Sequence, residues 1–370
     1  MRLPVATYRL QFNSSFGFEK ALEIVPYLAE LGISDIYASP IFKAKRGSLH
    51  GYDFTDQNIL NPELGTSEDF ETLIRELKAH GMGWLQDIVP NHMSYSHENH
   101  MLSDVLERGN RSEYYQFFDI EWDHPREGLK GRLIAPFLGD LYGKVLEQGE
   151  IKLIYDEAGF AASYYGIRMP LQLDSYAKIL SQGLDKLERL LGEDNSDFAE
   201  IKAIILNAVG DDSGQGLKSK LWNLYCRSID VKRFVDSNVD SFNGKKGDPE
   251  SFNPLDDLLS DQHFRLSFWK VASDEINYRR FFIVNDLICI RTERHDVFDY
   301  IHSFILDLIK NGKVTGLRID HIDGLYNPAD YVKTIRDKTI DIYLVAEKIL
   351  LPGEDLPSDW QIQGTTGYDS

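Results

Sequence analysis

Cysteine is nearly absent from this sequence: Cys226 and Cys289 are the only two among 370 residues. Two thiols rule out a disulfide framework and read as buried or free groups in a reducing compartment. Long apolar runs are missing as well. No segment supplies the roughly 20 consecutive apolar residues of a membrane helix. Met1-Arg2-Leu3-Pro4 is followed by no apolar stretch of the signal-peptide kind. The expectation is a cytosolic, cytoplasmic protein with no membrane partner. Positive charge is the scarce sign: 40 Lys and Arg stand against 59 Asp and Glu, giving a formal charge of −19. Such a field repels phosphate backbones, so no nucleic-acid partner is expected, whereas an uncharged substrate is not disfavoured. No glycine pattern of the Walker or Rossmann kind occurs. His97-Glu98-Asn99-His100 is one residue short of the metal-binding H-E-x-x-H spacing. No metal and no cofactor are therefore expected.

What the chain does have is the composition of a globular protein, 42% hydrophobic, and a clear α/β rhythm at its start. Val5 to Leu10 reads as a strand. Phe18 to Leu31 carries apolar residues at 18, 21, 22, 25, 28 and 29, the stripe of an amphipathic helix, with Gly32 to end it. Ile33 to Ser39 is a second strand. Thr66 with Asp69 forms a capping box ahead of Phe70, Leu73, Ile74 and Leu77, and Gly81 stops that helix. Trp84 to Val89 is a third strand. Alternation at this spacing predicts a parallel sheet. From Met93 to Glu293 the rhythm breaks. Residues 93–170 are aromatic and Gly-rich with short strands, and 173–235 are helical in pattern. Residues 236–262 are polar enough to be expected as a loop. The rhythm returns with a helix over 297–309, capped by Gly312.

Two carboxylates then close consecutive strand-like runs. Asp320 ends Val314-Thr315-Gly316-Leu317-Arg318-Ile319, and Glu347 follows Ile340-Asp341-Ile342-Tyr343-Leu344-Val345-Ala346. Their separation is about one strand–helix–strand unit. Acids at successive strand ends of a parallel barrel emerge side by side. Retaining glycoside chemistry needs such a pair, one carboxylate to attack and one acid to protonate the leaving oxygen. On spacing alone, two solvated acids closing ordinary strands fit equally well. Arg318 lies two residues before Asp320, hence on the same side of the strand, where a guanidinium is expected to hold Asp320 ionised. The apolar run before Glu347 suits a raised pKa and a proton donor. Asp87-Ile88-Val89-Pro90-Asn91-His92 closes the third strand.

Taken together and in order, these three strand-end segments resemble the signature regions of the α-amylase superfamily of retaining glycosidases and transglycosidases. The finer detail is similar to the maltooligosyltrehalose synthase family within it. That likeness is carried by Ala6-Thr7-Tyr8-Arg9-Leu10-Gln11-Phe12, Tyr37-Ala38-Ser39-Pro40-Ile41 and Gly47-Ser48-Leu49-His50-Gly51-Tyr52-Asp53. It continues through Ile276-Asn277-Tyr278-Arg279-Arg280-Phe281-Phe282, Gly316-Leu317-Arg318-Ile319-Asp320-His321 and Gly364-Thr365-Thr366-Gly367-Tyr368-Asp369. Ile322 departs from the pattern, which usually has Pro there.

The resemblance implies an α/β fold, a (β/α)8 TIM barrel of which the first five strands are present. It also implies a large, mostly helical insertion between strands three and four. The segments would be 1–92, 93–293 and 294–370, the middle one acting as a lid. Asp320 would be the nucleophile and Glu347 the general acid/base. Asp87, Asn91, His92, Arg318 and His321 would surround the reacting sugar, with Tyr52 as its stacking platform. His50 and Lys348 are further candidates for substrate contacts. The substrate would be a maltooligosaccharide, an α-1,4-glucan, whose reducing-end link is converted to α-1,1 in trehalose biosynthesis. The family's third carboxylate, near strand seven, has no counterpart here, and Asp369 does not take its place. The chain looks like the N-terminal part of such an enzyme and is expected to be an inactive fragment by itself.

Overall fold

A capping box opens the second helix as its sequence predicts. The Asp69 amide donates to the Thr66 hydroxyl at 3.1 Å, and the Thr66 amide donates back to the Asp69 carboxylate at 2.8 Å. The structure, a computed structural model, describes residues 1–209, 216–339 and 341–366. Ile340 of the expected fifth strand and Gly367, Tyr368 and Asp369 of the last motif lie outside the described residues.

The chain divides into two units. The first comprises Met1–Asn99, Phe117–Asp119 and Arg280–Ser370, and the second His100–Gln116 and Ile120–Arg279. The first unit is built on one sheet of six strands: β1 (Thr7–Leu10), β2 (Asp35–Ala38), β3 (Gly83–Ile88), β4 (Gly316–Ile319), β5 (Tyr343–Ala346) and β6 (Gly364–Thr365). Each strand pairs in parallel with the one before it in the chain. The expectation of five strands is corrected here. Val345 and Ala346 pair with Gly364 and Thr365, a two-residue sixth strand too short to leave a periodic signal.

Helices α1 (Phe18–Glu30), α2 (Ser67–Ala79), α3 (His295–Lys310) and α4 (Pro328–Lys338) supply crossovers between the strands. Each buries an apolar stripe; in α1 it is Phe18, Ala21, Val25 and Leu28. Every residue of β3 is buried, as befits a strand covered on both faces. Trp84 on β3 stacks on Phe12 at 5.7 Å and meets Phe70 of α2 edge-on at 5.5 Å, which joins the sheet to its helices. Between β2 and α2 an antiparallel pair, Phe42–Ala44 with Phe54–Leu60, carries the 45–53 loop. Gly51 in that loop has φ +80°, and a Cβ there would lie 2.9 Å from the Pro40 carbonyl, so only glycine fits.

The second unit has its own sheets. Lys152–Asp156, Gly159–Tyr164 and Ile167–Pro170 form an antiparallel meander, and Leu133–Leu138 pairs in parallel with Phe264–Phe268. Helices fill most of 175–260. The polar stretch 236–262, expected as a loop, is mostly helical: Ile229–Phe242 runs into it and Asn253–Ser260 lies inside it. Val235, Asn238 and Phe242, then Leu255, Leu258 and Leu259, bury one face of each helix. Apart from Asn238, the Asp, Asn and Ser residues of these two helices that made the segment look irregular lie off the buried faces. Among the described residues no helix is long and apolar enough to cross a membrane.

Candidate active site

The C-terminal ends of β3, β4 and β5 converge on one guanidinium. Arg318 on β4 stands in register with Asp87 on β3. Its Nη1 donates to Asp87 Oδ1 at 2.8 Å and to Asp320 Oδ1, while its Nη2 lies 3.2 Å from Glu347 Oε2. Asp320 and Glu347 directly follow their strands. Their amides continue the ladder, Asp320 to the Ile88 carbonyl and Glu347 to the Ile319 carbonyl, both at 2.8 Å. Parallel pairing therefore delivers the two acids side by side at neighbouring strand ends.

Each carboxylate has a different freedom. Asp87 is fully buried, and its second oxygen accepts from the Tyr52 hydroxyl at 2.7 Å and the Tyr37 hydroxyl at 3.1 Å. With both oxygens engaged, it serves as the anchor of Arg318. Burial, then the nearby Asp87 charge, pushes both tyrosine pKa values up, which keeps them as donors. Asp320 is held by Arg318 through Oδ1, and among the described residues no hydrogen bond engages its Oδ2. Glu347 is held through Oε2, which also accepts from the His321 amide at 2.8 Å. Among the described residues no hydrogen bond engages its Oε1.

Arg318 was expected to hold Asp320 ionised, and that expectation is corrected. Burial pushes the Asp320 carboxyl up to about 8; Arg318 pulls it down, but Asp87 and Glu347 push with burial. One cation against three acids is too little compensation in a desolvated site. Asp87 is displaced upward by burial for the same reason.

His321 adopts the left-handed conformation, φ +48°, which is uncommon for a non-glycine residue and turns its amide onto Glu347. Its ring sits among aromatics: Phe281 at 4.8 Å, edge-on, and Phe282 at 4.9 Å. Phe281 in turn lies 4.5 Å from the ring of His92. Asn91 is buried, with its amide nitrogen 3.3 Å from His92 Nδ1 and 3.5 Å from Cys289 Sγ. A Cβ on Gly324 would fall 2.3 Å from the His321 ring and 2.8 Å from Asn91 Oδ1, so the strand-end loop closes only over glycine. Among the described residues no group of three His, Cys, Asp or Glu is placed to hold a metal ion.

Two of the expected residues stand apart from the carboxylates. His50 is more than half exposed and accepts from the Tyr52 amide through Nδ1 at 3.0 Å, supporting the loop. Lys348 pairs with Glu354 at 2.9 Å and Asp323 at 3.4 Å. Sequence reasoning missed Tyr37 and Arg9. Arg9 donates to the Tyr52 hydroxyl at 3.1 Å and lies 5.3 Å over the Tyr37 ring. The available signal was their position on β1 and β2, on the strand-end side of the same sheet.

The fold is α-amylase-like, and residues 21–145 match the family of the alpha amylase catalytic domain. Over its whole length the chain is similar to the N-terminal part of maltooligosyltrehalose synthases. A Mycobacterium tuberculosis protein provisionally assigned as a maltooligosyl trehalose synthase is 29% identical over 378 residues, covering 100% of this chain and 38% of the relative. Among solved structures, a glycosyltrehalose synthase is 35% identical with a TM-score of 0.71, covering 99% of this chain and 40% of its own. The maltooligosyltrehalose synthase of Arthrobacter ramosus is 31% identical with a TM-score of 0.71, covering 99% and 37%. The chain thus spans about two-fifths of the length of these relatives.

Proposed function

We propose that this chain carries the nucleophile and the general acid/base of an enzyme that rearranges the reducing-end α-1,4 link of a maltooligosaccharide into an α-1,1 link, leaving a terminal trehalose unit. The observation that carries this reading is the attachment of Asp320 and Glu347 to opposite ends of the Arg318 guanidinium. A shared planar fork tethers two carboxyl groups at short range, as retaining chemistry requires. On the same reading the six strands are the first part of an eight-stranded barrel. Residues 1–92 and 294–370 supply its strands, and 93–293 are inserted between the third and fourth.

In its ionised form, Asp320 attacks the anomeric carbon of the penultimate sugar through Oδ2, the oxygen that Arg318 does not hold. The bond to the leaving glucose oxygen breaks as Glu347 delivers a proton from Oε1. This gives a covalent glycosyl-aspartate, a free glucose and an ionised Glu347. The glucose then presents its anomeric hydroxyl. Glu347 takes that proton, the new oxygen–carbon bond forms, and Asp320 leaves as carboxylate. The second step restores both residues to their starting states, with net retention at the donor carbon. Arg318 balances the charge that moves between the two acids, and the Tyr37 and Tyr52 hydroxyls keep Asp87 fixed behind it. Rearrangement outruns hydrolysis only if the glucose stays at high effective concentration and water is excluded.

Incubating the complete gene product with maltopentaose and separating the products tests the reading. A non-reducing oligosaccharide of unchanged length is expected. Shorter maltooligosaccharides and free glucose as the main products would place the protein among the hydrolases or transferases of the family instead.

A further inference from the structure

Phe282 occupies a position that ordinary turn chemistry would give to another residue. The Val284 amide donates to the Phe281 carbonyl at 2.9 Å, so Phe281 to Val284 form a β-turn with Phe282 at its second position. Phe282 has φ +47° there. Turns with that geometry favour Gly, Asn or Asp, because a Cβ crowds the backbone at positive φ. Solvation opposes the phenyl group as well: Phe282 is 67% exposed. Both costs would vanish with glycine. An outlier of this kind is a reason to look for a function.

The ring does not point away from the chemistry. It lies 4.9 Å from the His321 ring, and His321 is the residue between Asp320 and the strand-end loop whose amide holds Glu347. Behind it, Phe281 packs edge-on against Phe282 at 4.6 Å and against His321 at 4.8 Å. One side of the phenyl group is therefore braced while most of its surface stays open. A braced, solvent-open aromatic against the ring of His321, the residue that follows Asp320 and holds Glu347, matches the make-up of ligand sites, where a few polar groups act and aromatic surface supplies contact.

We propose that Phe282 is a sugar-stacking residue at the rim of the Asp320–Glu347 site, taking the apolar face of a glucose unit of the bound glucan. The proposal rests on the glucan-processing reading given above and deepens it by naming a specificity residue. Stacking draws on the C–H face of the pyranose ring, so it needs an aromatic plane and no hydrogen-bonding group. Bound sugar would also cover the exposed ring.

Steady-state kinetics of the complete gene product on maltopentaose, with Phe282→Ala, Phe282→Gly and Phe282→Trp, test this. Phe282→Ala and Phe282→Gly are expected to raise KM about tenfold with kcat changed far less, and Phe282→Trp to stay near the parent. Phe282→Gly is also expected to raise the melting temperature, because it relieves the positive φ. An unchanged KM in Phe282→Ala would overturn the proposal. So would a lowered melting temperature in both small variants, which would mean that the ring packs on protein. If the parent converts maltopentaose and Phe282→Ala matches it, only the platform fails. If the parent neither binds nor converts the glucan, the underlying reading fails, and the platform with it.

Discussion

Arg318 and Asp87 face each other as register partners on β4 and β3, their charged atoms 2.8 Å apart and both side chains almost wholly out of water. The pair forms the base on which both reactive acids stand. Replacing Arg318 by Lys keeps the charge but loses the fork, since an ammonium cannot bridge separate carboxylates in a fixed plane. Arg318→Lys is expected to lower kcat at least a hundredfold and to cost about 3 kcal/mol of stability, the scale for a broken buried ion pair. Chemical denaturation and turnover of maltopentaose measure the two effects.

Asp320 sets an opposition between stability and activity. Its carboxyl sits at about 8 in the folded protein, above the ordinary carboxylate value, with burial as the main cause. A group whose folded pKa is raised contributes most below its unfolded pKa, and that contribution drains away as the pH climbs to the folded value. Asp320→Asn is neutral throughout. Its melting temperature should match the parent near pH 4 and exceed it increasingly toward pH 8, while turnover disappears at every pH. Calorimetry across that range checks the sign. A variant less stable than the parent at pH 8 would contradict the account.

Gly324 is tied to catalysis through packing. A methyl group there meets the His321 ring at 2.3 Å and Asn91 at 2.8 Å. His321 must shift, and with it the amide that positions Glu347. Gly324→Ala should cost about 2–3 kcal/mol as an overpacked core site and lower kcat more than it raises KM.

Tyr37 and Tyr52 back each other up on the second oxygen of Asp87. Removing one hydroxyl leaves the other in place, so each Phe variant should cost about 1 kcal/mol. Removing both strands a buried carboxylate oxygen. The double variant should lose more than the sum of the singles by about 1 kcal/mol, and a double-mutant cycle in urea measures the excess.

Much of this was legible in the chain. The capping box at Thr66 and Asp69, the stripe of α1 and the adjacent strand-end acids follow from local periodicity, which sequence records directly. The failures have physical reasons too. The helices inside 236–262 bury only one narrow face, so their polar residues outnumbered the signal. The two-residue β6 is defined by its neighbour rather than by its own pattern. The Asp320 carboxyl defied its guanidinium because burial and the charges of Asp87 and Glu347 add up in space, although Asp87 lies far away in the sequence. Arg9 and Tyr37 lie in two of the segments that carry the family likeness, but nothing in those segments ties them to Asp87, and only sheet order brought them to it.

The left-handed turn at His321 has a bearing on stereochemical redesign. Inverting glycosidases set their acids about 6.5–9.5 Å apart to admit a water between them, and lengthening a strand-end loop is the obvious way to open such a gap. Here the residue after the nucleophile also supplies the amide that grips the partner acid. Residues inserted after Asp320 would therefore move the proton donor along with the nucleophile's own loop. Conversion to an inverting catalyst would have to start from β5, by relocating Glu347, and not from the loop that looks more pliable.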